Sequence, residues 1–282
     1  MNSQNASRHP SVLPALIADT FQEASARWLF WGLFGLSTLL IAFFLFILKI
    51  DVVQGAVSLL GLEQTSHRIG DLERLVRMSY GRVAIFLYIW GTFLAVFASA
   101  GLIPSVLEPG RIGLLLSKPV RRTTLLLGRY LGNVLLVTAN IVYLIVSIWV
   151  IVGWKTGIWY PEFLLAIPFT VFVFAVLLSV VTFIGVAFES ASVAVMAAVA
   201  LVLISAILAQ KDKVVRLLDS EWSRDLWKGL YWIVPKVWEL GRAMMDLIGS
   251  RQGEWITAAW TSAVFGLVVL AAAVRIFCKR DY

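Results

Sequence analysis

The chain has 282 residues, of which 60% are hydrophobic and 15% are charged, and its formal net charge is +7. With a mean hydropathy of +0.86, this composition excludes an ordinary soluble globular protein and leaves no room for a separate soluble domain. One cysteine, Cys278, excludes an internal disulfide framework, and His9 and His67 are too far apart in sequence to suggest a metal-ligand cluster. The composition therefore argues against redox and metal chemistry.

The N-terminal segment, residues 1–27, precedes the first long apolar stretch. Apolar residues recur at spacings of three and four between Leu13 and Ala24, with Asp19, Gln22 and Glu23 between them. This pattern predicts an amphipathic helix lying at the membrane interface. A polar tail with chance periodicity is the alternative.

Six stretches lack Asp, Glu, Lys and Arg, and each is long enough to span a bilayer. About 20 helical residues cross a hydrocarbon core of about 30 Å, and a helix satisfies its own backbone hydrogen bonds there. The sequence therefore predicts an all-α integral membrane protein with a six-span domain over residues 28–282. The predicted spans are 28–48, 83–107, 130–154, 163–188, 190–210 and 255–274.

Basic residues concentrate between the second and third spans and predict the orientation of the chain. Only one acid, Glu108, accompanies five basic residues there, and the C-terminus is also positive. By the positive-inside rule we expect this loop and both termini to be cytoplasmic, in a multi-pass protein of the plasma membrane, the inner membrane in bacteria. The outer segments are then 49–82 and 211–254, which are nearly neutral. Because the positive charges lie at membrane borders, they indicate topology rather than a nucleic-acid partner.

The outer segment 211–254 is rich in tryptophan and contains a central proline. Its periodicity predicts two short amphipathic helices, separated at Pro235, that lie on or dip into the outer leaflet. This segment is either a simple anchor in the lipid bilayer or a gate above a cavity between two subunits. The predicted interfacial residues are Trp222, Trp227, Trp232, Pro235 and Trp238.

The most specific motif lies between the second and third spans. Pro109 and Gly110 end the second span, and Pro119 ends the short helix that follows, over residues 108–118. Ile112, Leu115 and Leu116 give that helix one apolar side. A helix of this kind, parallel to the membrane surface, can transmit a push from a soluble partner to both adjoining spans. The alternative is a basic loop that only orients the protein.

This motif resembles the cytoplasmic loop of permeases of type 2 ATP-binding-cassette (ABC) exporters. The resemblance extends to the number of spans, the near-absent connection at Glu189 and the basic, Asp and aromatic C-terminus. Within the family, it is similar to stand-alone permeases with long outer loops, such as that of the nitrous oxide reductase maturation transporter. The matching positions are Glu108, Gly113, Leu116, Ser117, Lys118, Pro119, Val120, Arg122, Gly128, Arg129, Leu131 and Gly132.

The resemblance implies a transmembrane permease subunit of an ATP-driven exporter. Such a subunit pairs with a second copy of itself or a similar permease, and two copies of a separate P-loop ATPase dock beneath the pair. This chain has no GxxxxGK[ST] motif, so we expect no cofactor on it, with ATP and Mg²⁺ held by the ATPase. The ATPase-coupling residues implied are Glu108, Gly110, Arg111, Gly113, Leu115, Leu116, Lys118, Pro119, Arg122 and Glu189.

The predicted spans contain no ionisable Asp, Glu, Lys, Arg or His, which argues against a membrane enzyme or a proton-coupled carrier. Their polar groups are hydroxyls and amides, such as Ser99, Asn140 and Thr182, which serve either helix packing or substrate contact. A path of this kind suits an apolar or amphipathic substrate, and an extracytoplasmic partner is compatible with it. A membrane-embedded enzyme and a non-transporting scaffold remain the alternative functions.

Overall fold

The computed structural model describes residues 20–22, 28–47, 52–53, 56–59, 62–65, 69–99, 101, 121–210, 221–249 and 255–280. Most of them form helices: α1 (Trp28–Ile47), α2 (Ile69–Ser99), α3 (Arg122–Thr156), α4 (Ala166–Phe188), α5 (Ala191–Leu208), α6 (Glu221–Ile233), α7 (Val237–Ile248) and α8 (Ile256–Lys279). A 3-10 helix, Pro161–Leu165, leads into α4.

Five helical segments of the described chain are long and apolar enough to cross a membrane. They are Arg77–Ser99, Arg122–Thr156, Pro161–Phe188, Ala191–Leu208 and Ile256–Lys279. This confirms the helical, multi-span character predicted from hydropathy. The apolar helix Trp31–Phe46 within α1 is shorter, so the sixth crossing stays a prediction.

Three helices extend past the spans that hydropathy predicts, and one of them is α8, which ends at Lys279 rather than near residue 274. α2 begins at Ile69 rather than near residue 83, and α3 begins at Arg122 rather than near residue 130. The prediction stopped at the nearest charge, whereas a helix continues beyond the hydrocarbon because its backbone hydrogen bonds are internal. At its other end α2 finishes at Ser99, and the next described residue, Gly101, lies in a turn.

The long helices alternate in direction between two ends of the bundle, here called the Arg122 end and the Trp154 end. α2 runs antiparallel to α3, since Ser99 bonds to Asn133 and Tyr80 bonds to the carbonyl of Ile158. α1 runs parallel to α3, since Lys155 donates to the carbonyl of Leu45. The carbonyl of Arg280, just after α8, accepts from Arg122 at the start of α3, so the start of α1 and the end of α8 lie at the same end of the bundle, the Arg122 end.

α4 is the central helix and the most buried of the candidate spans. It contacts α2, α3, α5, α7 and α8. Phe174, Leu177 and Leu178 of α4 are fully buried and pack with the core residues of α3. The interior of the bundle is therefore built around one apolar helix that is largely buried by protein.

The two short helices α6 and α7 confirm the predicted division of segment 211–254 at Pro235. The exposed face of α6 carries Trp222 and Ile233, as expected for a helix against lipid. The apolar face of α7 instead lies in the protein core, with Leu240, Met244 and Ile248 buried. The apolar face of α7 thus packs on protein, because amphipathicity alone does not distinguish a lipid surface from a protein groove, and its position in the outer leaflet stays a prediction.

α7 is fastened to three neighbouring helices. The Tyr88 hydroxyl of α2 donates to the carbonyl of Val237 at 2.6 Å. The backbone N–H of Trp238 donates to Ser205 Oγ of α5 at 3.1 Å, and that of Lys236 donates to Ser262 Oγ of α8 at 2.9 Å. These bonds fix the start of α7 inside the bundle.

A small antiparallel sheet follows α1, which the sequence analysis did not predict. Strands β1 (Val52–Val53), β2 (Ala56–Leu59) and β3 (Leu62–Thr65) pair in chain order, with Val57 opposite Gln64. Two residues separate successive strands, and the second of each pair is a glycine, Gly55 or Gly61. This spacing is typical of tight hairpins and is too short to stand out among the apolar residues around it.

Of the predicted interfacial entry helix, the structure describes residues 20–22, which are helical. Thr20 is buried against α3, because a Cβ on Gly132 would lie 2.8 Å from the Thr20 Cβ. The rest of the predicted helix lies outside the described residues. At Thr20, at least, the entry segment contacts protein rather than lipid.

The close approach of α7 to α2 yields a test of the fold. A Cβ at Gly241 would lie 2.8 Å from Tyr88 Cε1 and 3.0 Å from Ile85 Cδ1. Gly241→Ala should therefore lower the free energy of unfolding by about 1–3 kcal/mol through overpacking. The control is Gly229→Ala in α6, where a Cβ meets nothing within 4 Å. Chemical unfolding in detergent should show no loss for the control, and equal effects of both changes would contradict the packing.

Candidate functional site

The turn between α4 and α5 is the shortest connection between candidate spans in the described chain. Glu189 has a φ of 54°, the left-handed conformation that rarely suits a residue with a side chain. Its N–H donates to the carbonyl of Gly185 at 3.0 Å and closes α4. Ser190 Oγ accepts from the N–H of Val193 at 3.4 Å and begins α5. Two apolar helices thus reverse direction across two polar residues.

Arg280, just after α8, binds this turn with both terminal nitrogens of its guanidinium. Nη1 donates to Glu189 Oε1 at 2.6 Å and to the carbonyl of Val186 at 2.7 Å. Nη2 donates to the carbonyl of Ala187 at 3.0 Å. The last carbonyls of a helix have no partner within it and carry partial negative charge, so a cation is favoured at this position.

The exposure of this ion pair limits its electrostatic contribution. The side chains of Arg280 and Glu189 are 35% and 53% exposed, so water screens their charges. The planar guanidinium, however, donates to three acceptors at fixed angles, which a lysine cannot do. The pair therefore acts mainly as a geometric clamp between the end of α8 and the α4–α5 turn.

Arg122, the first residue of α3, joins the same cluster. Its Nη1 donates to the backbone carbonyl of Arg280. The start of α3, the α4–α5 turn and the end of α8 thus meet at one point, here called the Arg280 junction (Arg122, Glu189 and Arg280). The side chains of two arginines thus connect the start of α3 and the end of α8 to the turn between α4 and α5.

The Arg280 junction unites two of the residues predicted for ATPase coupling, Arg122 and Glu189. The others, Glu108, Gly110, Arg111, Gly113, Leu115, Leu116, Lys118 and Pro119, lie outside the described residues. Sequence reasoning missed Arg280 as a site residue. The available signal was the basic C-terminal pattern, which shows a charge but not the helix end that it contacts.

Tryptophans gather at the opposite, Trp154 end of the bundle. Of the predicted interfacial residues, Trp222 and Trp232 are exposed, whereas Pro235 is buried. Trp227 and Trp238 are partly buried, and Arg242 lies over the Trp238 ring. Exposed rings of Trp154, Trp159, Trp255 and Trp260 lie at this end too. Amphipathic rings in such a band suit a membrane–water interface.

A buried cation, Lys236, lies between α6 and α7 and was not anticipated from the sequence. Its side chain is 4% exposed, and Nζ lies 4.4 Å and 4.5 Å from the ring centroids of Tyr231 and Trp232. Nζ also donates to Thr261 Oγ1 of α8 at 3.2 Å. Aromatic faces attract a cation, so Lys236 fastens the α6–α7 hairpin to α8.

Among the residues that the structure describes, no group of three or more His, Cys, Asp and Glu side chains lies close enough together to hold a metal ion.

The Arg280 junction predicts a specific loss of stability. Arg280→Ala removes three side-chain bonds and should lower the free energy of unfolding by about 1–2 kcal/mol. Arg280→Lys should restore little of the lost stability, because one ammonium group cannot donate to the three acceptors that the planar guanidinium reaches. Arg275→Ala, an exposed site on α8, is the matched control. Thermal unfolding in detergent measures all three, and full rescue by lysine would contradict the geometry.

Sequence comparison identifies the family of this chain. The sequence model of the family described as ABC-2 family transporter protein matches residues 15–212, which is more than half of the chain. No curated protein matches the chain. Members of this family are membrane permeases, not enzymes, and they generally work with an ABC ATPase subunit. With its apolar helices and its family match, the chain belongs to the ABC-2 transporter family and is a multi-pass membrane permease.

Proposed function

We propose that the chain is the permease half of an ATP-driven exporter and that its ATPase acts through residues 108–118 and the Arg280 junction. The observation that carries the proposal is the convergence of α3, α4, α5 and α8 at this junction. Three residues separate chain segment 108–118 from the start of α3. The expected contact with the ATPase therefore adjoins a point where four helices are already connected.

The connections around the junction give a physical route for coupling. A displacement of segment 108–118 acts on Arg122 through the covalent chain and on α4, α5 and α8 through Arg280. On the other side the segment follows α2, whose last residue, Ser99, donates to Asn133 Oδ1 of α3 at 3.0 Å. Rigid-body rocking of packed helices is an established way for a local push to open and close a path.

The charges at the Arg122 end support a cytoplasmic position for it. Arg121, Arg275 and Lys279 are exposed there. Positive residues at membrane borders favour the cytoplasmic side. We therefore place both termini in the cytoplasm of a plasma membrane, the inner membrane in a bacterium, with α1 as the sixth span.

The proposed assembly has two permeases and two ATPases. α5 buries little of its surface within the chain and exposes Met196, Leu203 and Ile207. Such a face is available to a second copy of the chain or to a similar permease. ATP and Mg²⁺ belong to the ATPase in this scheme, and this chain carries no cofactor of its own.

The interior of the bundle favours an apolar or amphipathic substrate. In the described chain, the buried charged residues are Arg129 and Lys236, close to opposite ends. The interior between them offers hydroxyls and amides without charge, which does not suit proton-coupled transport. The Trp154 end, with the sheet β1–β3 and the α6–α7 hairpin, is the surface available to an extracytoplasmic partner, as in maturation transporters of the nitrous oxide reductase type.

Charge reversal in the coupling segment tests the proposal. Glu108→Lys should weaken binding of the copurifying ATPase by about tenfold or more, the scale expected on losing one side of a charged contact. ATP hydrolysis by the complex should fall in parallel. Both are measured on the full complex in mild detergent.

The control is Glu162→Lys, an exposed acid at the Trp154 end. It should leave ATPase binding and hydrolysis unchanged. If Glu108→Lys behaves like Glu162→Lys, segment 108–118 is a topology loop and the coupling assignment is wrong.

A further inference from the structure

Two asparagines form a buried polar row on one face of α3. Asn133 and Asn140 are seven residues apart, a spacing that places both side chains on the same side of a helix. They are 1% and 3% exposed. Asn133 Oδ1 accepts from Ser99 Oγ of α2 at 3.0 Å, and Asn140 Oδ1 accepts from Ser37 Oγ of α1 at 3.1 Å.

The helix register brings Thr92 of α2 to the level of Asn140. α2 runs antiparallel to α3, so a step of seven residues back from Ser99 and forward from Asn133 pairs Thr92 with Asn140. Seven residues rise about 10 Å in both helices, and Thr92 keeps the same face of α2 as Ser99.

A second register gives the same result. The rings of Phe44 in α1 and Phe86 in α2 lie 6.4 Å apart. α1 runs antiparallel to α2. A step of seven residues back from Phe44 in α1 and seven residues forward from Phe86 in α2 therefore brings Ser37 level with residue 93, next to Thr92. Ser37, Thr92 and Asn140 therefore occupy one layer between three helices, here called the upper polar layer.

The upper polar layer holds hydrogen-bonding atoms that the described protein does not satisfy. Thr92 Oγ1 and Asn140 Nδ2 are buried and have no hydrogen-bond partner among the described residues. Thr92 is 3% exposed and Ser37 is fully buried. Rotating the Asn140 side-chain amide by 180° would exchange the positions of Oδ1 and Nδ2. Nδ2 would then face Ser37 and Oδ1 would lack a partner, so one end of the amide is without a protein partner in either orientation.

We propose that the upper polar layer is a binding site for buried water, held between Asn140 Nδ2, the Thr92 hydroxyl and the Ser37 hydroxyl. A buried water needs two to four polar partners, and these three side chains supply amide and hydroxyl groups on three different helices. Dry burial of the amide and the hydroxyl carries a desolvation cost that one water molecule removes. The site stands independently of the proposed transport function.

Radiolytic footprinting of the wild-type chain in lipid nanodiscs tests the site directly. X-rays convert bound water into hydroxyl radicals, which oxidise the side chains beside it. Leu136 and Leu144 flank Asn140 by one helical turn and are almost fully buried, as is the control Leu177 in α4. The site predicts oxidation of Leu136 or Leu144 several-fold faster than that of Leu177. Equal, background rates at all three leucines would overturn the proposal.

Thr92→Val supplies the second measurement, because valine keeps the shape of threonine and removes its hydroxyl. We expect this change to abolish the excess oxidation and to leave the unfolding midpoint unchanged or lower. In a dry site, removal of an unpaired hydroxyl should raise the midpoint, by about 2 °C or more. The control Thr182→Val removes a buried hydroxyl that bonds to its own helix carbonyl, at Leu178, and should leave the footprint intact. A raised midpoint or an unchanged footprint in Thr92→Val would contradict the water site.

Discussion

The enclosure of α4 is the constraint on which the rest of the structure depends. Five other helices pack around it, and its Thr170, Ser179 and Thr182 hydroxyls bond to carbonyls of the same helix. The buried polar groups of α4 need partners within the protein, since neither water nor lipid reaches them. α4 meets this requirement locally, and its neighbours can therefore pack on it with apolar side chains.

Polar and charged side chains consequently cluster near the two ends of α4. At the Arg122 end, the guanidinium of Arg280 donates to the last carbonyls of α4 and to Glu189, and the backbone carbonyl of Arg280 accepts from the Arg122 side chain. At the Trp154 end, the α6–α7 hairpin is held over the bundle by Lys236 and by the Tyr88 bond. In the proposed transporter these two clusters lie on opposite sides of the membrane, one beside the ATPase and the other beside the exit.

Much of this architecture could be predicted because local sequence patterns determine it. Hydropathy locates the long helices, Pro235 divides α6 from α7, and the polar pair at Glu189 marks the reversal after α4. The burial of α7, by contrast, depends on the groove beside Tyr88, which no local pattern contains. The Arg280–Glu189 pair joins residues 91 positions apart. Both sides of that contact were visible in the sequence as charges, but only the fold shows that they meet.

Local pattern also fails to predict where the helices that extend beyond their predicted spans begin and end. A hydropathy window ends at a charge, yet α2 carries Arg77 and α3 carries Arg122 and Arg129 within unbroken helix. Those charges lie in helical turns close to the ends of the bundle, where they meet other helices and the interface. Charge therefore marks the edge of the hydrocarbon core but not the end of the helix.

The proposed transporter depends most on a separate ATPase that binds at the Arg122 end. Native mass spectrometry of the chain, purified in mild detergent from the cell that makes it, tests this directly. We predict an assembly of two permeases with two copies of a P-loop ATPase. Recovery of the chain without an ATPase, under conditions in which a known permease–ATPase complex stays intact, would contradict the account.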